Sequence, residues 1–136
     1  MKIVLDTNCL VNVIMPASYN NDIWKAFRMG KYVLCVSNEI LLEYHEILSK
    51  RYNNLIANTV MKELIETPNV ERVNPTFRFN LIVADPDDNK FVDYAIIAGA
   101  SFIVSNDHHF HELEHCEFPK VEVKTLSEFL HIVRTL

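Results

Sequence analysis

Residues 3–11 read Ile3-Val4-Leu5-Asp6-Thr7-Asn8-Cys9-Leu10-Val11. The first three are consecutive apolar residues, two of them β-branched, and the run stops at an acid. Such a short apolar run without polar alternation is the pattern of a strand buried on both faces, as in a parallel sheet. Tyr32 to Val36, Phe102 to Val104 and Val121 to Val123 have the same form. Between these runs, apolar residues recur at helical spacing over about 20–29, 38–51, 54–66, 89–99 and 125–134. Strands alternating with helices predict an α/β fold with a central, mainly parallel sheet covered on both faces. Ser37 or Asn38 is placed to cap the helix from 38, and Thr125 or Ser127 the last one. The stretch 68–87, with Pro68, Pro75 and Pro86, admits one more short strand near 80–84.

The chain has 136 residues and a net charge of −5. That length fits one domain, and no linker, repeat or low-complexity tract divides it, so 1–136 is read as a single domain. Two glycines, Gly30 and Gly99, are too few for the glycine-rich loops of dinucleotide or P-loop sites. No apolar stretch is long enough to span a membrane. Asp6 interrupts the N-terminal apolar run, which does not fit a signal peptide. Three widely spaced cysteines, Cys9, Cys35 and Cys116, form neither a zinc nor a disulfide pattern and suit a reducing cytoplasm. The acidic balance argues against holding nucleic acid by bulk charge alone.

The acids are unevenly placed. Asp6 and Asp107 each follow a strand, where open parallel sheets carry their functional groups. On the helix 38–51, Ile40, Leu41, Tyr44, Ile47 and Leu48 define the inward face. Glu43 lies about 100° from its centre, Glu39 about 140° and Glu46 about 160°, while Leu42 falls outward. On the helix from about 88, Asp88 lies within ~10° of the inward face defined by Phe91, Val92, Ala95, Ile96 and Ala98, and Asp93 about 150° away. Asp88 has two readings, an N-terminal cap or a side chain aimed into a site. Asp6, Glu43, Asp88 and Asp107 together form four inward acids with no Lys or Arg on the same faces. Such a set calls for a counter-charge, and a hard divalent cation, Mg²⁺ or Mn²⁺, supplies one through oxygen ligands.

The chain resembles the PIN domain family, the PilT N-terminus-like metal-dependent nucleases. Ile3 to Val11 resembles its first motif, a strand ending in Asp-Thr/Ser-Asn. Glu43 matches its second acid. Asp85-Pro86-Asp87-Asp88-Asn89-Lys90-Phe91, with Ala95 and Gly99-Ala100, resembles its third motif. Phe102-Ile103-Val104-Ser105-Asn106-Asp107, with Phe110 after it, resembles its fourth. The subgroup suggested by Asp-Pro-Asp-Asp-Asn-Lys-Phe and by Leu126-Ser127-Glu128-Phe129-Leu130 is that of prokaryotic toxin components of toxin–antitoxin pairs. The resemblance implies a three-layer α/β/α fold and Mg²⁺- or Mn²⁺-dependent endoribonuclease activity. It also implies an RNA substrate, an antitoxin protein as partner, and a homodimer or higher oligomer. In that reading Asp6, Glu43, Asp88 and Asp107 are the catalytic and metal-holding acids, with Glu43 acting through a water or on the nucleophile. Asn8 and Ser105, each two residues from an acid, either orient the carboxylates or serve as turn residues.

Lys90, two residues beyond Asp88, is the candidate for a substrate phosphate contact, with Lys25, Arg28, Lys31, Lys50 and Arg51 as further surface candidates. His108, His109, His111 and His115 form a cluster in which 111 and 115 have zinc spacing on a helix, but no Glu follows His111 as in zinc peptidases, and a solvated helix face is the favoured reading over metal binding. Trp24 and Phe27 are read as core. The competing reading is a non-catalytic PIN-like RNA- or protein-binding module. A phosphate-accepting receiver domain needs an Asp after the Tyr32–Val36 run and a Lys after the Phe102–Val104 run, and has neither. Setting aside the four acids leaves 14 acidic against 13 basic residues, so the acid excess is largely local.

Overall fold

The central strand β1 (Lys2–Leu5) carries Ile3, Val4 and Leu5 with no exposed surface. Successive strand residues point to opposite faces, so three in a row can be buried only if both faces are covered. The computed structural model describes residues 1–72, 74–75, 79, 82, 88–115 and 120–136, with the side chains of all of these except 111, 112, 114 and 115. After β1 come α1 (Thr7–Val13), α2 (Asn21–Arg28), β2 (Val33–Val36), α3 (Asn38–Arg51), α4 (Asn54–Glu66) and β3 (Val70–Arg72). Then follow α5 (Asn89–Ala98), β4 (Phe102–Val104), a 3-10 segment (His108–His115), β5 (Val123–Lys124) and α6 (Leu126–Arg134).

The five strands among the described residues are all parallel, in the order β3-β2-β1-β4-β5. The chain winds outward from β1 to β3, then crosses back to β4 on the other side. Right-handed crossovers in opposite directions place their helices on opposite faces, which makes the three-layer α/β arrangement. They also make the boundary between β1 and β4 the switch point, where a crevice opens beyond the strand ends. The register sets what lies there. Leu5 pairs with Val104, and the Asp6 N–H donates to the Val104 carbonyl at 3.0 Å. Asp6 and Ser105 therefore leave the sheet side by side.

Local sequence accounts for the helix ends. The Ser37 hydroxyl accepts from the Ile40 N–H at 3.1 Å. Thr125 and Glu128 form a reciprocal capping box on α6. Each such cap contributes roughly 1 kcal/mol. Gly99 ends α5 at φ 66°, a left-handed position that favours glycine. Trp24 stacks on Phe27 with ring centroids 4.9 Å apart, and Phe129 packs edge-on to Tyr32 and Phe102. These rings tie α2 and α6 to the sheet, as the core reading of Trp24 and Phe27 expects.

Some expectations change. α1 was not foreseen, because seven residues are too few to display a period. β3 lies at 70–72, whereas the strand expected near 80–84 falls mainly outside the described residues; Ile82, which is described, is not in a strand. β5 is Val123–Lys124, so Val121 and Glu122 precede it. Asp93 is buried, not outward. Its carboxylate accepts the Phe79 N–H at 2.9 Å, so chain preceding α5 covers the side that the helical wheel leaves open.

Candidate active site

Asp6 sits at the end of β1 and is only 6% exposed. Its carboxyl is pushed up to about 6, chiefly by burial and further by the charges of Asp107 and Glu43. Hydrogen bonds from the Ser105 hydroxyl and the Thr7 backbone oppose that rise. Ser105, at the end of β4, donates to Asp6 Oδ2 at 2.8 Å and accepts the Asp107 N–H at 3.0 Å. One hydroxyl thus orients both strand-end acids. Asp107 Oδ1 accepts the His109 N–H at 2.9 Å, which folds the chain back at the start of the 3-10 segment. The His109 ring brings in the third acid, with Nδ1 3.2 Å from Asp107 Oδ1 and 3.7 Å from Asp88 Oδ2.

Asp88 immediately precedes α5 and is buried. Its side chain makes no capping hydrogen bond, so of its two readings the cap is set aside. Glu43 reaches the cluster from α3. The Thr7 hydroxyl donates to Glu43 Oε2. The Lys90 ammonium lies 2.8 Å from Glu43 Oε1. Here an expectation is overturned, since one of the four acids does have a basic partner. The helical wheel compares residues on one helix, whereas Lys90 crosses from α5 to α3 along its flexible stem. Thr7, quoted as part of the first motif, had no role assigned to it, and its position beside Asp6 was the available signal.

Asn8 is exposed on the first turn of α1. It lines a cleft with Asp6, Asn12, Asn106, Asp107 and His108, and no hydrogen bond joins its side chain to the four acids. His108 is largely exposed beside Asp107. His111 and His115 fall on the 3-10 segment, and their side chains lie outside the described residues, as do Asp85 and Asp87. Arg28 pairs with Glu63, Lys50 with Glu46, and the Lys31 ammonium donates to the Leu136 carbonyl. Of the six candidate cations, only Lys90 contacts one of the four acids.

The donor set fits a divalent cation. Among the described residues, ligand atoms of Asp107, His108 and His109 lie within 4.8 Å of one another, Asp6 and Asp88 are joined to them through Ser105 and His109, and the charge that burial and neighbouring acids disfavour on Asp6 is the kind a cation relieves. Ser105→Ala removes the donor that steadies ionised Asp6 and the acceptor that fixes Asp107. Such supporting hydrogen bonds are typically worth about 10–100-fold in metal affinity. A Mn²⁺ titration of the variant is expected to show a loss in that range.

These features define a doubly wound α/β protein with an acidic cluster at its switch point. A family model described as a PIN domain, PIN_3, matches residues 2–109. The chain belongs to the PIN domain family, whose members are generally nucleases. Its fold is similar to a chain in the crystal structure of VapBC2 from Rickettsia felis bound to a DNA fragment from their promoter. That match has TM-score 0.61 and 19% identity, over 92% of this chain and 98% of that one. A chain of DNA-bound VapBC from Salmonella typhimurium gives TM-score 0.59 and 19% identity, over 93% and 98%. The PIN domain of human SMG5 gives TM-score 0.62 and 8% identity, over 97% and 99%. No curated protein sequence matches.

Proposed function

We propose that the chain is a metal-dependent endoribonuclease that hydrolyses phosphodiester bonds with Mg²⁺ or Mn²⁺. In this reading it works in the cytoplasm as one nuclease domain over residues 1–136, in a homodimer or higher oligomer. The observation that carries the proposal is the convergence of Asp6, Glu43, Asp88 and Asp107. They come from four separate segments, yet the hydrogen bonds and ion pairs of Thr7, Ser105, Lys90 and His109 draw them into one network.

Asp6, Asp88 and Asp107 would hold the cation, with His109 as an added nitrogen donor. A divalent cation held there supplies Lewis acidity, making water a nucleophile near neutral pH and offsetting phosphoryl charge. Ser105 keeps Asp6 and Asp107 in register for that task. Asn8, exposed in the cleft beside Asp6 and Asp107, would meet incoming RNA, with Lys90 as the candidate phosphate contact. The cluster repels phosphate when the cation is absent and attracts it once the cation is bound. RNA binding should therefore depend on metal. An uncleavable RNA is expected to bind more tightly with Mn²⁺ than with EDTA, and a cleavable RNA to be cut internally only with the metal. Equal binding in both conditions, or cleavage in EDTA, overturns the reading.

The particular role we propose is that of the toxin in a prokaryotic toxin–antitoxin pair. The fold likeness to chains of the two promoter-bound VapBC structures supports it. An apolar groove between α3 and α4, lined by Leu41, Leu42, Met61 and Ile65, is the surface an antitoxin segment would cover. Leu42 and Ile65 are 73% and 66% exposed there, and apolar side chains exposed together commonly mark a binding face.

A further inference from the structure

We propose that the exposed side of α1 and the segment 14–20 after it form a track for single-stranded RNA that leads away from the acid cluster. Asn8 and Asn12 donate hydrogen bonds to the strand, Tyr19 stacks on a base, and Arg51 meets a phosphate beyond the scissile one. The assignment rests on the ribonuclease reading and deepens it, because it names residues that hold substrate outside the acidic cluster.

α1 buries five of its seven residues, and the two left exposed are Asn8 and Asn12. Four residues apart, they share one face of the helix. Both line the cleft that holds Asp6 and Asp107. Both also line a second cleft, of about 460 Å³, that continues past Tyr19 and Asn20 to Arg51. The two clefts therefore join along α1, and the second has the volume of a ligand site, about 300–1,000 Å³. The Tyr52 hydroxyl donates to the Val11 carbonyl at 2.9 Å, which holds the end of α3, and Arg51 with it, against α1. Seven helical residues span about 10 Å, so Arg51 meets the strand further along than the phosphate at the cluster.

The track is built in advance of any ligand. Asn12 Oδ1 accepts from the Ser18 hydroxyl at 2.9 Å and from Asn20 Nδ2 at 3.0 Å. With the oxygen doubly occupied, the Asn12 amide nitrogen keeps two N–H donors for a ligand. The same two bonds anchor the residues on either side of Tyr19. A tethered segment thus presents the Tyr19 ring, which is nonetheless 78% exposed. The Arg134 guanidinium lies 5.4 Å from the ring centre, which steadies the ring and leaves much of it open. Among the described residues, the Asn8 side chain has no hydrogen bond and Arg51 no ion pair. Asparagine is a poor helix former, so helix stability gives no reason for an unbonded Asn8. Charge selects the ligand class. The chain carries −5 overall, yet no acidic residue is among the described residues lining the second cleft. Amide donors, an open aromatic ring and an arginine are the groups that hold a single strand by stacking and phosphate contact. A duplex keeps its bases stacked on one another, so only a single strand can use Tyr19.

The test follows the anisotropy of a short fluorescein-labelled phosphorothioate RNA, which resists cleavage, on the full chain with Mn²⁺ over a range of salt. Thermal melts confirm that each variant folds. Asn12→Asp keeps the oxygen that Ser18 and Asn20 bond and replaces the donor with a charge, so it should bind about tenfold more weakly. Tyr19→Ala should lose about tenfold or more, and Tyr19→Trp should restore the affinity, because stacking needs only the ring. Arg51→Gln should lower the slope of log affinity against log salt by about 0.7, the share of one phosphate contact on a single strand. Lys62→Gln, at an exposed lysine on α4, should keep the wild-type slope. With the RNA annealed to its complement, Tyr19→Ala and the wild type should bind alike. Wild-type affinity in Tyr19→Ala, or an unchanged salt slope in Arg51→Gln, overturns the track and leaves the cleft to a protein segment. Cleavage of the unmodified RNA is read in parallel. A wild type that binds RNA through these residues and cuts none overturns the ribonuclease reading, while the track stands.

Discussion

Asp107→Asn and Asp6→Asn proteins are expected to fold as the wild type does and to cleave RNA roughly 10³-fold more slowly with saturating Mn²⁺, a loss of about 4 kcal/mol of transition-state stabilisation. Asparagine is nearly isosteric with aspartate and keeps one carbonyl oxygen. In Asp107→Asn that oxygen can still accept the His109 N–H, and in Asp6→Asn it can still accept the Ser105 hydroxyl. The local turns therefore survive, and what disappears is the charge that would hold a cation in the proposed reading. The proper control is an acid of the same type away from the sheet end. Asp22 pairs with Arg134 at the surface, both about half exposed, and a pair of that kind contributes little. Asp22→Asn should cleave at the wild-type rate. The measurement is single-turnover cleavage of an end-labelled RNA, with thermal melts alongside to separate lost chemistry from lost structure. Wild-type rates in both Asp6→Asn and Asp107→Asn would remove the site assignment altogether.

What could be read from the sequence, and what could not, follows from how each part is encoded. β1, β2 and β4 are buried on both faces, so they appear as unbroken apolar runs. β3 reads Val70-Glu71-Arg72 and is an edge strand whose Glu71 pairs with Lys2 at 2.7 Å. Charged edge strands protect a sheet from pairing with other chains, and the same charges hide the strand from a search for apolar runs. The outward placement of Leu42 was legible because α3 is long enough to show its period. Asp93 was misplaced because burial by chain from outside the helix leaves no trace in the helix's own pattern. At the site, Asp6 and Asp107 were legible as acids at strand ends, a position that parallel topology makes functional. The Glu43–Lys90 pair was not, since its members lie on different helices and only the tertiary structure joins them. His109 sat within a histidine cluster whose zinc spacing was between His111 and His115. Its contacts instead run to Asp107 and Asp88.

The metal-free protein is expected to be more stable with Asn at position 6 than with its own aspartate at neutral pH. Burial and the neighbouring acids raise the Asp6 carboxyl from 3.8 to about 6. Below pH 4 it is protonated in both folded and unfolded chains and makes no difference to stability. Between pH 4 and 6 the folded protein holds a proton that the unfolded chain has released, so folding stability falls as pH rises through that window. The full loss is about 3 kcal/mol, present above the folded-state value. Asparagine cannot ionise, so Asp6→Asn escapes the loss. At pH 7.5 in EDTA its melting temperature should exceed that of the wild type by roughly 10 °C. The difference should close as the pH falls toward 4. Added Mn²⁺ should then shift the comparison the other way. It stabilises only a protein that binds it, by about 2.7 kcal/mol at one hundred times the dissociation constant, and Asp6→Asn lacks one of the proposed ligands. In the proposed reading the acid excess at the sheet end is thus a destabilising feature that a bound cation would offset, and catalysis would require a charge without which the metal-free fold would be more stable. Parallel melting curves for the two proteins between pH 4 and 7.5, or equal stabilisation of both by Mn²⁺, would show that Asp6 is neither strained by its surroundings nor a ligand.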